Sequence, residues 1–337
     1  MLLTALYRRL ADPSAPMPKV TPGALPDPLP VVERPATLAA TASTAVLADG
    51  VELSVVHVGD DLILLVGNDA GWRIVGADLA DQPPWLGPEP AMVLVIGSDA
   101  RVGEAQTTFR ADSLHVLTAV PSAGTGAIVG FPRDSYVTTP FGKMKISSLM
   151  AGRGPEVMAD EMRAEFDIPI EGYVVTGFKG FEELMWELGP LPIEIPFDIP
   201  TQKYWAGWNA GEQTLSPQRV LEFARTRKKI PGGDFGRSVN QGRVMLAVLR
   251  MFQLGTVDDA PALVAALERH TWTDLSRDRL LQLAVAAYTL DPETIANVVL
   301  PGKLGRDPNG ASVVYLQPEA RDIVADLVDD GVLTPPS

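Results

Sequence analysis

The 337-residue chain contains no cysteine. This excludes a disulfide, a thiolate metal site and a cysteine nucleophile, and it removes redox chemistry as a guide to compartment. Histidine is nearly as scarce. His57, His115 and His270 lie far apart in the sequence, which argues against a histidine-ligated metal and leaves oxygen ligands and a hard ion such as Mg²⁺ as the metal chemistry available. Basic residues are the minority, 28 Lys and Arg against 42 Asp and Glu, and the net charge of -14 argues against nucleic acid as a partner. Long apolar runs are missing too: stretches such as Ala91 to Gly97 fall far short of the roughly 18 to 20 residues that span a bilayer. At the N-terminus, Arg8 and Arg9 follow the short apolar part, the reverse of a secretory signal. That segment reads as a frayed terminal helix in preference to an amphipathic surface anchor.

What is present is a globular composition, 46% apolar, sufficient for a sizeable core. Eight prolines between residues 13 and 35 mark residues 1–45 as a flexible, Pro-rich arm that builds no core of its own. Residues 46–88 read as a small accessory segment: Val51 to Val58 and Leu62 to Val66 flank Gly59-Asp60-Asp61, a hairpin pattern. Residues 89–337 form a third unit. It opens with the buried-type strand Met92 to Ile96, continues with strands over Leu114 to Val120 and Ala127 to Phe131, and then alternates helix (Gly154 to Phe166), strand (Gly172 to Thr176) and helix (Phe178 to Leu188). This order predicts an α/β fold, three layers α/β/α around a central mixed sheet, preceded by the small β-rich segment. Further helices are predicted from Ser216-Pro217, over Phe235 to Leu254, Asp259 to His270, Arg277 to Leu290 and Pro318 to Asp330.

Two clusters hold the residue types that do chemistry. In the first, Asp99 follows an apolar strand directly, where ligands sit in α/β sheets. Arg110 and Asp112 are two apart on a segment entering a strand and so share a face, while Arg133 and Asp134 end the next strand. In the second, residues 225–243 carry six basic residues and one acid. Arg237 and Gln241, four apart, share a helix face, and Asp234 stands where a helix cap belongs. Each residue alone has an ordinary reading, as a turn aspartate, a surface ion pair or a solvated helix end.

Together the clusters resemble the LytR-CpsA-Psr phosphotransferases of bacterial cell envelopes. The matching stretches are Leu94 to Arg101, Phe109 to Leu114, Phe131 to Tyr136, Lys143 to Ile146, Phe178 to Phe181, Ala224 to Arg227, and Gly233 to Arg237 with Gln241. The resemblance implies a domain that moves a glycopolymer from a polyprenyl-pyrophosphate carrier to peptidoglycan or a related wall polymer. It implies Mg²⁺ (or Mn²⁺) held by Asp99 and Asp112, and a substrate-binding set of Arg110, Arg133, Lys145, Arg225, Arg227, Arg237 and Gln241, with Lys145 near the lipid phosphate. Asp99, Arg110, Asp112, Arg133 and Asp134 are the implied catalytic residues, with Asp99 and Asp134 as alternative proton acceptors. It also implies an extracytoplasmic, envelope-associated protein, and a polyprenyl chain held in an apolar tunnel between sheet and helices.

The chain departs from that pattern in lacking the usual N-terminal membrane helix and in having Ser147-Ser148 where an asparagine commonly stands. The first departure makes this an atypical or trimmed member, or one whose arm and hairpin make peripheral contact with the membrane or a partner. Two other functions stay open, a polyprenyl-pyrophosphate phosphatase and a non-catalytic, polyprenyl-phosphate-binding regulatory protein. Tyr204, Trp205 and Trp208 read either as a sugar-stacking surface or as a local core.

Overall fold

The structure, a computed structural model, describes residues 1–26, 28–31, 39–101, 103–203 and 206–334. The chain opens with α1 (Leu2–Ala11), followed by an antiparallel meander of β1 (Ala40–Val46), β2 (Glu52–Val58), β3 (Asp61–Asn68) and β4 (Gly71–Asp78). The expected hairpin is thus the centre of a four-stranded sheet. α1 is not frayed: Leu6, Tyr7 and Leu10 are buried against Val56, Val58, Ile63 and Ile74, and the Tyr7 hydroxyl donates to Asp61 Oδ2 at 2.8 Å. Part of the expected flexible arm is pinned as well, since Thr21 N–H donates to Ile74 O and Ile74 N–H to Lys19 O. Three apolar side chains on one face of a short helix outweigh the proline content that follows.

The larger unit begins with β5 (Ala91–Ser98), β6 (Ala111–Val120) and β7 (Thr125–Gly130), then the small hairpin β8 (Tyr136–Thr139) and β9 (Gly142–Lys145). Next come α2 (Pro155–Phe166), β10 (Gly172–Thr176), α3 (Phe178–Leu188), the hairpin β11 (Leu191–Ile195) and β12 (Gly211–Leu215), α4 (Pro217–Arg225) and α5 (Asp234–Leu254). The chain closes with α6 (Ala260–His270), β13 (Trp272–Thr273), α7 (Arg277–Thr289), β14 (Ala296–Val299), the hairpin β15 (Gly302–Arg306) and β16 (Ser312–Leu316), and α8 (Glu319–Asp330). The central sheet has the order β13-β10-β5-β6-β7-β14. β5 pairs parallel with β10 and antiparallel with β6, and β7 pairs parallel with β14. This is the mixed sheet between helices that the sequence predicts.

Alternation along β5 decides what each face does. Met92, Leu94 and Ile96 enter the core that also takes Met158 and Met162 of α2 and Val324 and Leu327 of α8. Ala91, Val93, Val95 and Gly97 instead border a cavity of about 730 Å³ beneath α3, α5, α6 and α7. The N-terminal sheet packs on the far side of α6 and α7, where Leu53, Val55, Leu64 and Val66 meet Val264, Leu281 and Val285. Arg73 pairs with Asp278 at 2.5 Å across this junction.

Candidate functional site

The β5–β6 ladder carries one irregularity, and it falls on a residue singled out from the sequence. Gly97 is opposite Ser113 and Ser98 is opposite Ala111, so Asp112 is the extra residue of a bulge. A bulge re-aims the side chain it carries, and it breaks the alternation that would place Arg110 and Asp112 on one face. Asp112 turns to two arginines from other elements. Its Oδ1 is 2.5 Å from Arg133 Nη1, its Oδ2 is 3.7 Å from Arg237 Nη1, and its backbone carbonyl accepts from Arg237 Nη2 at 3.2 Å.

Asp234 closes the ring. The N-cap of α5 is Gly233, with φ +55°, and no side chain caps the helix. Asp234 is therefore not the expected cap: it lies 3.0 Å from Arg237 Nη2 and 3.5 Å from Arg133 Nε. Two carboxylates and two guanidinium groups alternate, each charge flanked by its opposite. Arg237 is only 7% exposed. Burial works against its charge, as do Arg133 and Arg227, and these outweigh Asp234 and Asp112 to bring its pKa below the ordinary arginine value. For Arg133, burial is more than offset by Asp112, Asp234 and Asp134, and its pKa rises. Both stay cationic at neutral pH. The buried Nε atoms of Arg133 and Arg237 lack a hydrogen-bond partner among the described residues. Donors left unsatisfied in a dry setting favour an incoming anion.

This ring borders the cavity. Asp112, Arg133, Arg225, Arg227, Arg237 and Gln241 all line it, beside Gly97 and Ser98. Arg237 and Gln241 share a face of α5, as their spacing predicts, and Val244, Met245, Val248 and Phe252 extend that wall. From Arg237 to Phe252 is about 22 Å along a helix, and from Gly97 to Ala91 is about 20 Å along a strand. The two walls therefore run side by side, charged at one end and apolar for the rest. Arg225 stacks on Phe178 at 4.2 Å from the ring centroid, a contact that orients a guanidinium without neutralising it. Neither Arg225 nor Arg227 has a carboxylate partner among the described residues, so both keep their charge for a ligand.

The remaining candidates lie outside the cavity lining. Asp99 follows β5, and its Oδ1 accepts from the Arg110 backbone N–H at 3.0 Å while its own N–H donates to Arg110 O. The Arg110 side chain is exposed and unpaired among the described residues. Asp134 is held by Lys145, 2.8 Å away. No group of three or more Asp, Glu or His side chains fit to hold a metal occurs among the described residues. Trp208 is 3% exposed and packs in the core with Phe223, under Arg219, so it offers no sugar platform; Tyr204 and Trp205 lie outside the described residues. The sequence reading missed Asp234 as a ring member. Its separation of three from Arg237 was the available signal.

Comparison with known proteins narrows what such a site belongs to. The model of the LytR_cpsA_psr family matches residues 80–327. The chain belongs to this family. Among relatives of family type, a protein of Halalkalibacterium halodurans named polyisoprenyl-teichoic acid--peptidoglycan teichoic acid transferase TagU is 30% identical over 77% of this chain and 84% of its own length. Its namesake in Bacillus cereus is 28% identical over 58% of this chain and 64% of its own, so the chain spans just under two thirds of that relative. The family fold is also seen in B. subtilis TagV, with a TM-score of 0.62 at 23% identity over 73% of this chain and 98% of that one. TagT bound to LI-WTA gives 0.59 at 21% identity over 72% and 91%.

Proposed function

We propose that this protein moves a glycopolymer from a polyprenyl-pyrophosphate carrier to a cell-wall acceptor such as peptidoglycan, at the extracytoplasmic face of the cell envelope. The observation that carries this reading is the cavity with cations at one end and apolar walls over about 20 Å beyond them. Such a cavity suits a diphosphate attached to a long hydrocarbon. The names of the teichoic acid transferases to which the chain is related support it.

In the reaction, an acceptor hydroxyl oxygen bonds to the phosphorus that carries the sugar, and the phosphoanhydride bond on the lipid side breaks. Polyprenyl phosphate leaves with the electron pair of that bond. The hydroxyl proton passes to a carboxylate, for which Asp99 is better placed than Asp134, because Lys145 engages the latter at 2.8 Å. Negative charge spreads over the phosphoryl oxygens as this happens, and positioned cations are what the step requires. Arg225 and Arg227 supply free guanidinium groups. Arg133 and Arg237 are pre-set by Asp112 and Asp234, so little reorganisation is needed on binding. Arg110, whose backbone pairs with Asp99 and whose side chain is exposed, is a further clamp for the donor.

Asp99 and Asp112 are the carboxylates that would hold a hard ion, its shell completed by substrate oxygens and water, and Asp112, whose two oxygens face Arg133 and Arg237, would share its charge between the ion and those arginines. Bound there, Mg²⁺ or Mn²⁺ would neutralise charge on the diphosphate. Incubating the protein with a polyprenyl-pyrophosphate glycan and a peptidoglycan acceptor tests the reading. Wild type is expected to give joined product and polyprenyl phosphate, and Arg110→Ala to give little of either. Wild type showing neither turnover nor lipid binding would overturn it, and glycan phosphate released to water without transfer to the acceptor would make the protein a phosphatase.

A further inference from the structure

His115 takes no part in the chemistry above, yet it is completely buried at 0% exposure, three residues along β6 from Asp112 of the charged ring. Its ring sits between two serines. Nδ1 is 3.2 Å from Ser113 Oγ, while Nε2 is 3.1 Å from the Ser238 backbone carbonyl and 3.2 Å from Ser238 Oγ. A carbonyl oxygen only accepts, so Nε2 carries the hydrogen and Nδ1 is left to accept from the Ser113 hydroxyl. Each serine is the immediate neighbour of a ring member: Ser113 follows Asp112, and Ser238 follows Arg237.

Space has been cleared for this bridge. His115 lies opposite Gly130 in β7, where an added Cβ would come within 2.5 Å of Ser238 Oγ and 3.1 Å of His115 Nε2. Ser113 lies opposite Gly97, where an added Cβ would be 2.8 Å from Ser113 Cβ. Helix α5 can approach the sheet here because β7 has no side chain at Gly130, and Ser113 has its room because β5 has none at Gly97.

We propose that His115 is a positioning residue for the anion-binding end of the cavity, tying β6 to the first turns of α5 and so fixing Asp112 against Arg237. The proposal rests on the reading of that end as a diphosphate site. Burial, reinforced by the charge of Arg237 and opposed by the bond to the Ser238 carbonyl, brings the imidazole pKa down to about 4. The ring is therefore neutral at the pH where the site works, and adds no further cation to those already beside Arg237.

The test uses the full chain, inorganic pyrophosphate and an uncharged polyprenol as separate probes, and nitrogen-15 NMR of the histidines. At pH 7 the wild-type His115 ring is expected to show the neutral tautomer with hydrogen on Nε2; hydrogen on Nδ1, or an imidazolium, overturns the proposal. His115→Phe keeps the ring's shape and loses both bonds. It is expected to bind pyrophosphate about tenfold more weakly and polyprenol as wild type does, and His115→Gln, which can still donate to the Ser238 carbonyl, to regain most of the loss. Equal pyrophosphate binding by wild type and His115→Phe, or equal loss of both probes, overturns it. Should His115→Phe not fold, the Gln variant and the NMR tautomer decide. A wild type that binds polyprenol but no pyrophosphate overturns the diphosphate reading itself, and the role of His115 with it.

Discussion

The two faces of β5 are equally apolar in sequence and opposite in what they meet. Met92, Leu94 and Ile96, each at most 1% exposed, are wedged between α2 and α8. Ala91, Val93, Val95 and Gly97 border a cavity of about 730 Å³. On the first face the protein satisfies its own apolar surface; on the second it leaves that surface for a ligand. A strand buried on both sides reads as a continuous apolar run in either case, so the pattern reports burial without reporting against what.

Truncating one apolar side chain to alanine on each face separates the two. Leu94→Ala removes a fully packed side chain and is expected to cost about 2 to 5 kcal/mol in urea unfolding, whereas Val95→Ala is expected to cost about 1 kcal/mol or less, since its surroundings are already open. Equal losses would mean the cavity collapses onto β5 in solution. At the charged end, Arg237→Met keeps the bulk and loses the cation, and glycan transfer is expected to fall about a hundredfold, a loss in turnover that Leu94→Ala would not reproduce in its folded fraction. His115 links the faces to pH. Its folded pKa of about 4 lies below the ordinary value of 6.5, so as pH falls the unfolded chain takes up the proton first. Its contribution is whole above pH 6.5 and lost between pH 6.5 and 4, about 3 kcal/mol in all. Wild type is thus expected to lose that much more stability over the interval than His115→Phe, as read by denaturation at each pH. The smallest loss of function is expected from Val95→Phe, which narrows the cavity and weakens binding of polyprenyl phosphate about tenfold.

Much of this was legible in the chain. The order of strands and helices after Ala91 follows from periodicity and turn residues, and six of the ten candidate site residues line one cavity. Two kinds of feature were not. The bulge at Asp112 depends on the partner strand, which local spacing does not encode. The packing of α1 and of residues 19–24 depends on a sheet some fifty residues downstream, so proline content there pointed to an arm and concealed the contact. His115 illustrates both: a histidine within an apolar strand carries no mark of its purpose until Ser238, far along the sequence, is brought to its Nε2.

Helix α7 has work on both sides. Leu280 and Ala284 border the cavity and also belong to the core shared with the N-terminal sheet, Gln282 donates to Val75 O, and Arg279 donates to the carbonyls of Leu86 and Pro88. The meander of β1 to β4 is therefore a keel: without it, the outer face of the cavity's back wall is stripped of its apolar support. The interval that matches the family starts at residue 80, but the interval that folds reaches back to Leu6. Anyone trimming this gene to its recognisable part would keep every arginine of the site and lose the shape that gives them a purpose.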